Sequence, residues 1–126
     1  TPDAMKELKR VIKFVLNTKD FGLKLEPKLV NNRGDKWSIV VYSDSDWAGD
    51  PDTRISVTGF IIYVMGCAVA WKSKAQKSVS LSSSEAEWYA LSEAAKEVKF
   101  IAQTLLTMET PVELPIISQC RSNLYE

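Results

Sequence analysis

The sequence predicts a layered α/β domain, and three observations carry that expectation. Apolar, β-rich runs cluster at Trp37–Asp44, Thr58–Met65 and Ala68–Lys72. A long helical run follows from about Ser84 to Met108, and a last short apolar run covers Leu114–Ile117. The order βββαβ is that of a sheet with a helix laid on it, although pattern by itself leaves α/β and α+β layers both open. At 126 residues the chain suits one small domain with a core of its own.

Each element has a local justification. Met5, Leu8, Val11, Ile12, Val15 and Leu16 fall at helical spacing with Lys6, Lys9, Arg10 and Lys13 on the other side, which predicts an amphipathic helix. Asp3 after Pro2 marks its start; Lys19, Asp20 and Gly22 close it. From Gly22 to Pro27, Leu23 and Leu25 alternate with Lys24 and Glu26, as in a short, half-exposed strand. Asn31, Asn32, Gly34 and Asp35 then form a polar turn cluster. In the run from Trp37, consecutive Ile39, Val40 and Val41 point to a strand buried on both faces. The next two runs are joined by a tight turn at Gly66 and Cys67, making an antiparallel meander. Pro111 ends the long helix, and the last apolar run is expected beside the first strand.

Composition excludes several chemistries. Sixteen basic residues balance sixteen acidic ones, so no whole-molecule positive field draws the chain to nucleic acid. The absence of histidine removes histidine acid–base catalysis, triads built on it and most zinc sites. Cys67 and Cys120 are too few and too far apart for a metal knuckle or a disulfide framework, which makes a reducing, intracellular setting, cytoplasmic or nuclear, the expectation. No run approaches the ~18 apolar residues of a membrane span, and no signal peptide precedes the first helix, so no membrane partner is expected. A start at Thr1 rather than Met fits a piece of something longer.

The chemistry-bearing residues lie in Val40–Gly59 and Ser80–Ala94. Asp44 and Asp46 share a strand face if the strand persists that far. Two like charges so close raise each other's pKa unless a cation sits between them; the alternative is plain turn chemistry in a segment rich in Ser, Asp and Gly. Stepping by three or four from Glu87 reaches Leu91, Ala94, Val98, Ile101 and Leu105, so Glu87 begins the buried side of the helix. Stepping from Glu85 reaches Trp88, Ser92, Lys96 and Lys99, the wet side, and Ser82 to Glu85 has capping-box spacing. Ser84 to Glu87 has the same spacing, which leaves a purely structural Glu87 open. A carboxylate in an apolar setting costs roughly several kcal/mol unless compensated, and a divalent metal would supply the charge. Asp50, Asp52 and Arg54 read as a solvated loop with a local ion pair. Lys72, Lys74 and Lys77 beside Trp71 form a basic and aromatic cluster that either contacts phosphates or guards a sheet edge. Ser82, Ser83 and Ser84 cap the helix or present small polar groups to a nucleic-acid backbone.

Taken together, the strings YSDSDWAG (42–49), DTRISVTG (52–59), WKSKAQ (71–76) and SSSEAEWYAL (82–91) resemble the ribonuclease H domain of Ty1/copia-type retrotransposon Pol polyproteins over roughly Tyr42 to Phe100. The resemblance implies an incomplete ribonuclease H-like fold at residues 36–126, with residues 1–35 similar to the tail of the reverse transcriptase and its connection segment. It implies hydrolysis of the RNA strand of an RNA–DNA hybrid by two Mg2+ ions (Mn2+ as a substitute) about 4 Å apart. Asp44 and Glu87 would be catalytic metal ligands, with Asp46 a loop residue nearby. Ser82, Ser83, Ser84, Lys72 and Lys74 would meet the hybrid, and the reverse transcriptase portion of the same polyprotein would be a partner, inside a virus-like particle if the element is active. The C-terminal stretch PIISQCRSNLYE departs from the pattern: Arg121 stands where the family has an Asp after Cys, and Glu126 is the only later acid. The expectation is therefore weak or absent Mg2+ binding and no activity in this chain alone. The rival readings are a non-catalytic retroelement remnant, a protein-interaction module, or an unrelated metal-independent α/β module.

Overall fold

A computed structural model describes residues 1–27 and 36–120. The elements are α1 (Pro2–Thr18), β1 (Ile39–Asp46), β2 (Val57–Val64), β3 (Cys67–Ala75), α2 (Ser83–Thr107) and β4 (Ile117–Cys120). The four strands form one mixed sheet in the order β3-β2-β1-β4, with β1, β2 and β3 an antiparallel meander and β4 parallel to β1. This is an α/β architecture, compatible with an incomplete ribonuclease H-like fold.

Strand alternation decides which side of the sheet is covered. Ile39, Val41 and Ser43 of β1 are buried, and so are Thr58, Phe60, Ile62 and Val64 of β2; these are paired across the ladder and share a face. On that face lies α2, whose buried residues Ala86, Ala90, Ala94 and Val98 recur every fourth position. Three alanines in that line let the helix axis approach the strands closely, and Ala94 and Val98 complete the core formed by Ile39, Val41, Phe60, Ile62, Val64 and Met65.

Among the described residues the opposite face is open. Tyr42 and Asp44 are exposed and Val40 is half-buried, so β1 is buried on one face and not on two. Consecutive Ile-Val-Val had implied cover on both sides, but among the described elements α2 is the one that packs on the sheet. The segment 21–27 forms no strand, and Leu23 and Leu25 are exposed; alternation there has no neighbouring ladder to pair with. The β2–β3 turn is centred one position earlier than expected, on Met65 (φ 52°) and Gly66 (φ 79°), both in the left-handed region that a two-residue hairpin needs. Met65 tolerates that conformation because its side chain is buried and its sulfur accepts the Ser38 N–H at 3.3 Å. The last strand begins at Ile117, past Pro115, which has no N–H to give to a ladder. Upstream of β1, Trp37 bridges Val112.

The expected amphipathic helix forms as α1, with Thr1 Oγ1 accepting the Ala4 N–H, yet none of its residues is buried. The polar cluster at Asn31, Asn32, Gly34 and Asp35, and Arg121 and Glu126, lie outside the described residues. Among the described residues no helix is long and apolar enough to cross a membrane.

Candidate functional site

The end of β1 carries both aspartates. Since Ser43 and Ser45 share the face of Val41, beneath α2, Asp44 and Asp46 lie on the open face. Asp44 Oδ1 accepts the N–H of its neighbour Ser45 at 2.9 Å. Asp46 folds over the following turn: a Cβ at Gly49 would stand 2.5 Å from Asp46 Oδ2, and the Asp46 side chain would swing aside to admit it. Ala48 then donates its N–H to Ser56 Oγ at 3.1 Å. In the next loop Asp50 accepts the Thr53 hydroxyl at 2.5 Å and the Asp52 N–H at 3.0 Å. These bonds, Thr53's first, hold its carboxyl below the usual aspartate range. The ion pair expected for Arg54 with Asp50 or Asp52 does not form among the described residues; the bonds from the Thr53 hydroxyl and the Asp52 N–H to Asp50 stand in its place.

The start of α2 separates the two glutamates. Ser82 is the N-cap and accepts the Glu85 N–H at 3.1 Å, while Glu85 Oε2 reaches back to the Leu81 N–H at 2.6 Å. Glu85 is thus spent on capping. Ser83 and Ser84 are exposed in the first turn, and Glu87 is half-buried beside Ala86 and Ala90. The buried line starts at Ala86, one residue from the Glu87 start that the sequence implied; Leu91, Ile101 and Leu105 flank it half-buried.

One buried side chain ties these pieces together. Gln76 Nε2 donates to Thr58 Oγ1 and to the Ala86 carbonyl, each at 3.0 Å, and Gln76 Oε1 accepts the Ser80 hydroxyl at 2.8 Å. Thr58 pairs with Ser45, so the bridge runs from the end of β1 through Gln76 to the residue before Glu87. From the other side, Trp47 Nε1 donates to the Ser80 carbonyl at 3.1 Å. Gln76, Ser80 and Trp47 were not singled out by sequence reasoning. Their signal was their place inside the strings WKSKAQ, SLSSSEAE and SDWAG.

Electrostatically, no cation among the described residues pairs with Asp44 or Glu87, and Ser43 Oγ and Ser45 Oγ are buried without a hydrogen-bond partner. Lys72 is instead 3.3 Å from Glu93, which also binds Lys96 at 2.7 Å. Lys96, then Lys72, hold the Glu93 carboxyl below its usual range, and Glu93 raises Lys96 in turn. Lys74 and Lys77 are exposed nearby, lining a small pocket with Tyr89. As oxygen donors, Asp44 and Glu87 are of the kind Mg2+ prefers. Among the described residues, however, no three acids, cysteines or histidines are grouped to hold a metal. The donor set therefore falls short of what a pair of ions requires. The β4 register sets Cys120 beside Ser43.

No protein-family description and no solved structure matches the chain. Curated proteins do. It is 34% identical over 120 residues to the retrovirus-related Pol polyprotein from transposon RE2 of Arabidopsis thaliana, covering 95% of this chain and 8% of that protein. It is 45% identical over 64 residues to the Pol polyprotein from transposon TNT 1-94 of Nicotiana tabacum, covering 51% of this chain and 5% of that one. A third relative, secreted RxLR effector protein 161 of Plasmopara viticola, is 39% identical over 100 residues, covering 79% of this chain and 66% of the relative. The chain thus spans a small part of the polyproteins it matches. It is homologous to a segment of the retrovirus-related Pol polyproteins of Ty1/copia-type transposons.

Proposed function

We propose that residues 36–126 are a ribonuclease H-like segment of such a polyprotein, that residues 1–35 are the tail of its reverse transcriptase and connection, and that Asp44 and Glu87 belong to a site hydrolysing the RNA strand of an RNA–DNA hybrid. The observation that supports this best is the Gln76 bridge, which couples the start of α2, next to Glu87, to the strand end that bears Asp44. The structure turns Asp44 to the open face and carries Glu87 on the helix against the other face, so a shared Mg2+, or Mn2+ in its place, would have to draw both to one side of the β1 end, and its charge would polarise a phosphate oxygen and an attacking water. With two carboxylates alone the segment binds the ion weakly and does not cleave by itself; further carboxylates come from the rest of the polyprotein. Exposed Ser83, Ser84 and Lys74, with capping Ser82, would meet the sugar-phosphate backbone, whereas the Lys72 charge is largely committed to Glu93. The setting is intracellular, in a virus-like particle where the element is active. A non-catalytic remnant or interaction module is the second reading, favoured by the open, apolar sheet face.

The test compares this chain with a version extended by a matching polyprotein's own segment grafted in place of the residues after Ile117, each with Glu87→Gln and Asp44→Asn variants, in a hybrid-cleavage assay with Mg2+ or Mn2+. The expected result is no cleavage by the 126-residue chain and metal-dependent cleavage by the extended one, abolished by either substitution. A folded, extended chain that stays inert, or cleavage indifferent to Glu87→Gln, overturns the assignment.

A further inference from the structure

We propose that the chain forms a reciprocal dimer in which α1 of each copy lies across the open sheet face of the other; this does not rest on the hydrolytic reading. Among the described residues, two apolar surfaces of the same chain are left uncovered. The first is the open sheet face, where Val40, Tyr42, Ile61, Tyr63, Trp71 and Ile117 are neighbours through the strand register. Trp71 is 63% exposed and Ile117 56% exposed, and Tyr42 meets Tyr63 edge to face at 5.8 Å. The second is the stripe Met5, Leu8, Ile12 and Val15 on α1, each about half exposed, on a helix with no buried residue in its own chain. A helix of that length is about 25 Å long, enough to cross the four strands.

Charge complementarity selects the occupant. The charged groups that the strands present on the open face are Asp44 and Asp46, both acidic. On α1 the apolar stripe is flanked by Lys9 and Lys13, while Arg10 is engaged with Glu7 at 2.7 Å. A basic amphipathic helix therefore fits an apolar face with an acidic end, and lysines placed over Asp44 and Asp46 relieve the like-charge pair. A two-fold axis satisfies both copies at once, since each gives a helix and receives one, and the assembly closes. The two helix-on-sheet contacts add, moving toward the ~1,600 Å² typical of a stable interface.

Sedimentation equilibrium on the full chain at micromolar concentrations tests this. The expected mass is twice the 14.1 kDa of one chain. Leu8→Asp with Ile12→Asp, and separately Trp71→Ser, each weaken association at least ~10-fold while far-UV circular dichroism stays native. Lys9→Glu with Lys13→Glu weakens it as well, and adding Asp44→Lys to that pair restores it, which a merely misfolded variant would not do. A monomeric parent chain overturns the proposal, whether α1 then exchanges its amides freely or is protected against its own sheet. So does a dimer untouched by the α1 and Trp71 substitutions.

Discussion

Truncating Gln76 should cost far more than its position in a strand-to-helix connection implies. The side chain is 4% exposed and makes three hydrogen bonds, to Thr58, Ser80 and the Ala86 carbonyl. Gln76→Ala removes all three at about 1 kcal/mol each, and it strands the hydroxyls of Thr58 and Ser80, which are 3% and 6% exposed. Together these come to about 3–5 kcal/mol, a large share of the ~5–15 kcal/mol of a domain this size. The backbone bond from Gln76 N–H to the Ser56 carbonyl survives, so the strand end itself stays in place. Urea unfolding followed by far-UV circular dichroism should show the midpoint lowered by more than ~1 M at unchanged slope. Gln76→Met, which keeps the volume, should be nearly as damaging, because the stranded hydroxyls dominate and not a cavity. Amide exchange over Ser84–Ala90 should accelerate, since the bridge anchors the first turns of α2. A loss below about 1 kcal/mol in Gln76→Ala, or full stability in Gln76→Met, would refute the reasoning.

Three further outcomes are expected. Ser43→Ala should be neutral or stabilise by about 1 kcal/mol in the same urea assay, because its hydroxyl is buried without a partner; a clear destabilisation would reveal a bond to bound water. Glu93 has its folded pKa depressed by Lys96 and Lys72, so its contribution is present above the ordinary value of 4.5 and is lost as pH falls through the depressed folded value. Glu93→Gln should therefore flatten the decline in stability below pH 4.5, and an unchanged acid slope would contradict the pairing. Calorimetric titration with Mg2+ should show millimolar or weaker binding, lost in Glu87→Gln; a tight site that survives that substitution would place the metal elsewhere.

What could be read along the chain is what depends on neighbours in the chain. The amphipathic α1, the long α2, the β2–β3 hairpin and the Ser82–Glu85 cap all follow from spacings of two, three or four residues, and all are present. The separation of Glu85 from Glu87 belongs to the same class, since helical periodicity alone distinguishes the wet side from the edge of the buried one. The strand expected at Gly22–Pro27 failed because alternation describes a residue pattern, while a strand also needs a partner to accept its hydrogen bonds. The hairpin turn moved by one residue because Met65 could bury its side chain and its sulfur could meet Ser38, contacts from outside the turn. Burial of β1 on one face instead of two, and the start of the α2 buried line at Ala86, were likewise decided by which helix reaches which side of the sheet. Gln76 is the clearest case: its partners lie 18 and 10 residues away, on a strand and on a helix. Nothing in the local pattern WKSKAQ marks one amide as the buried joint between them, because that role exists only once both elements have packed against it.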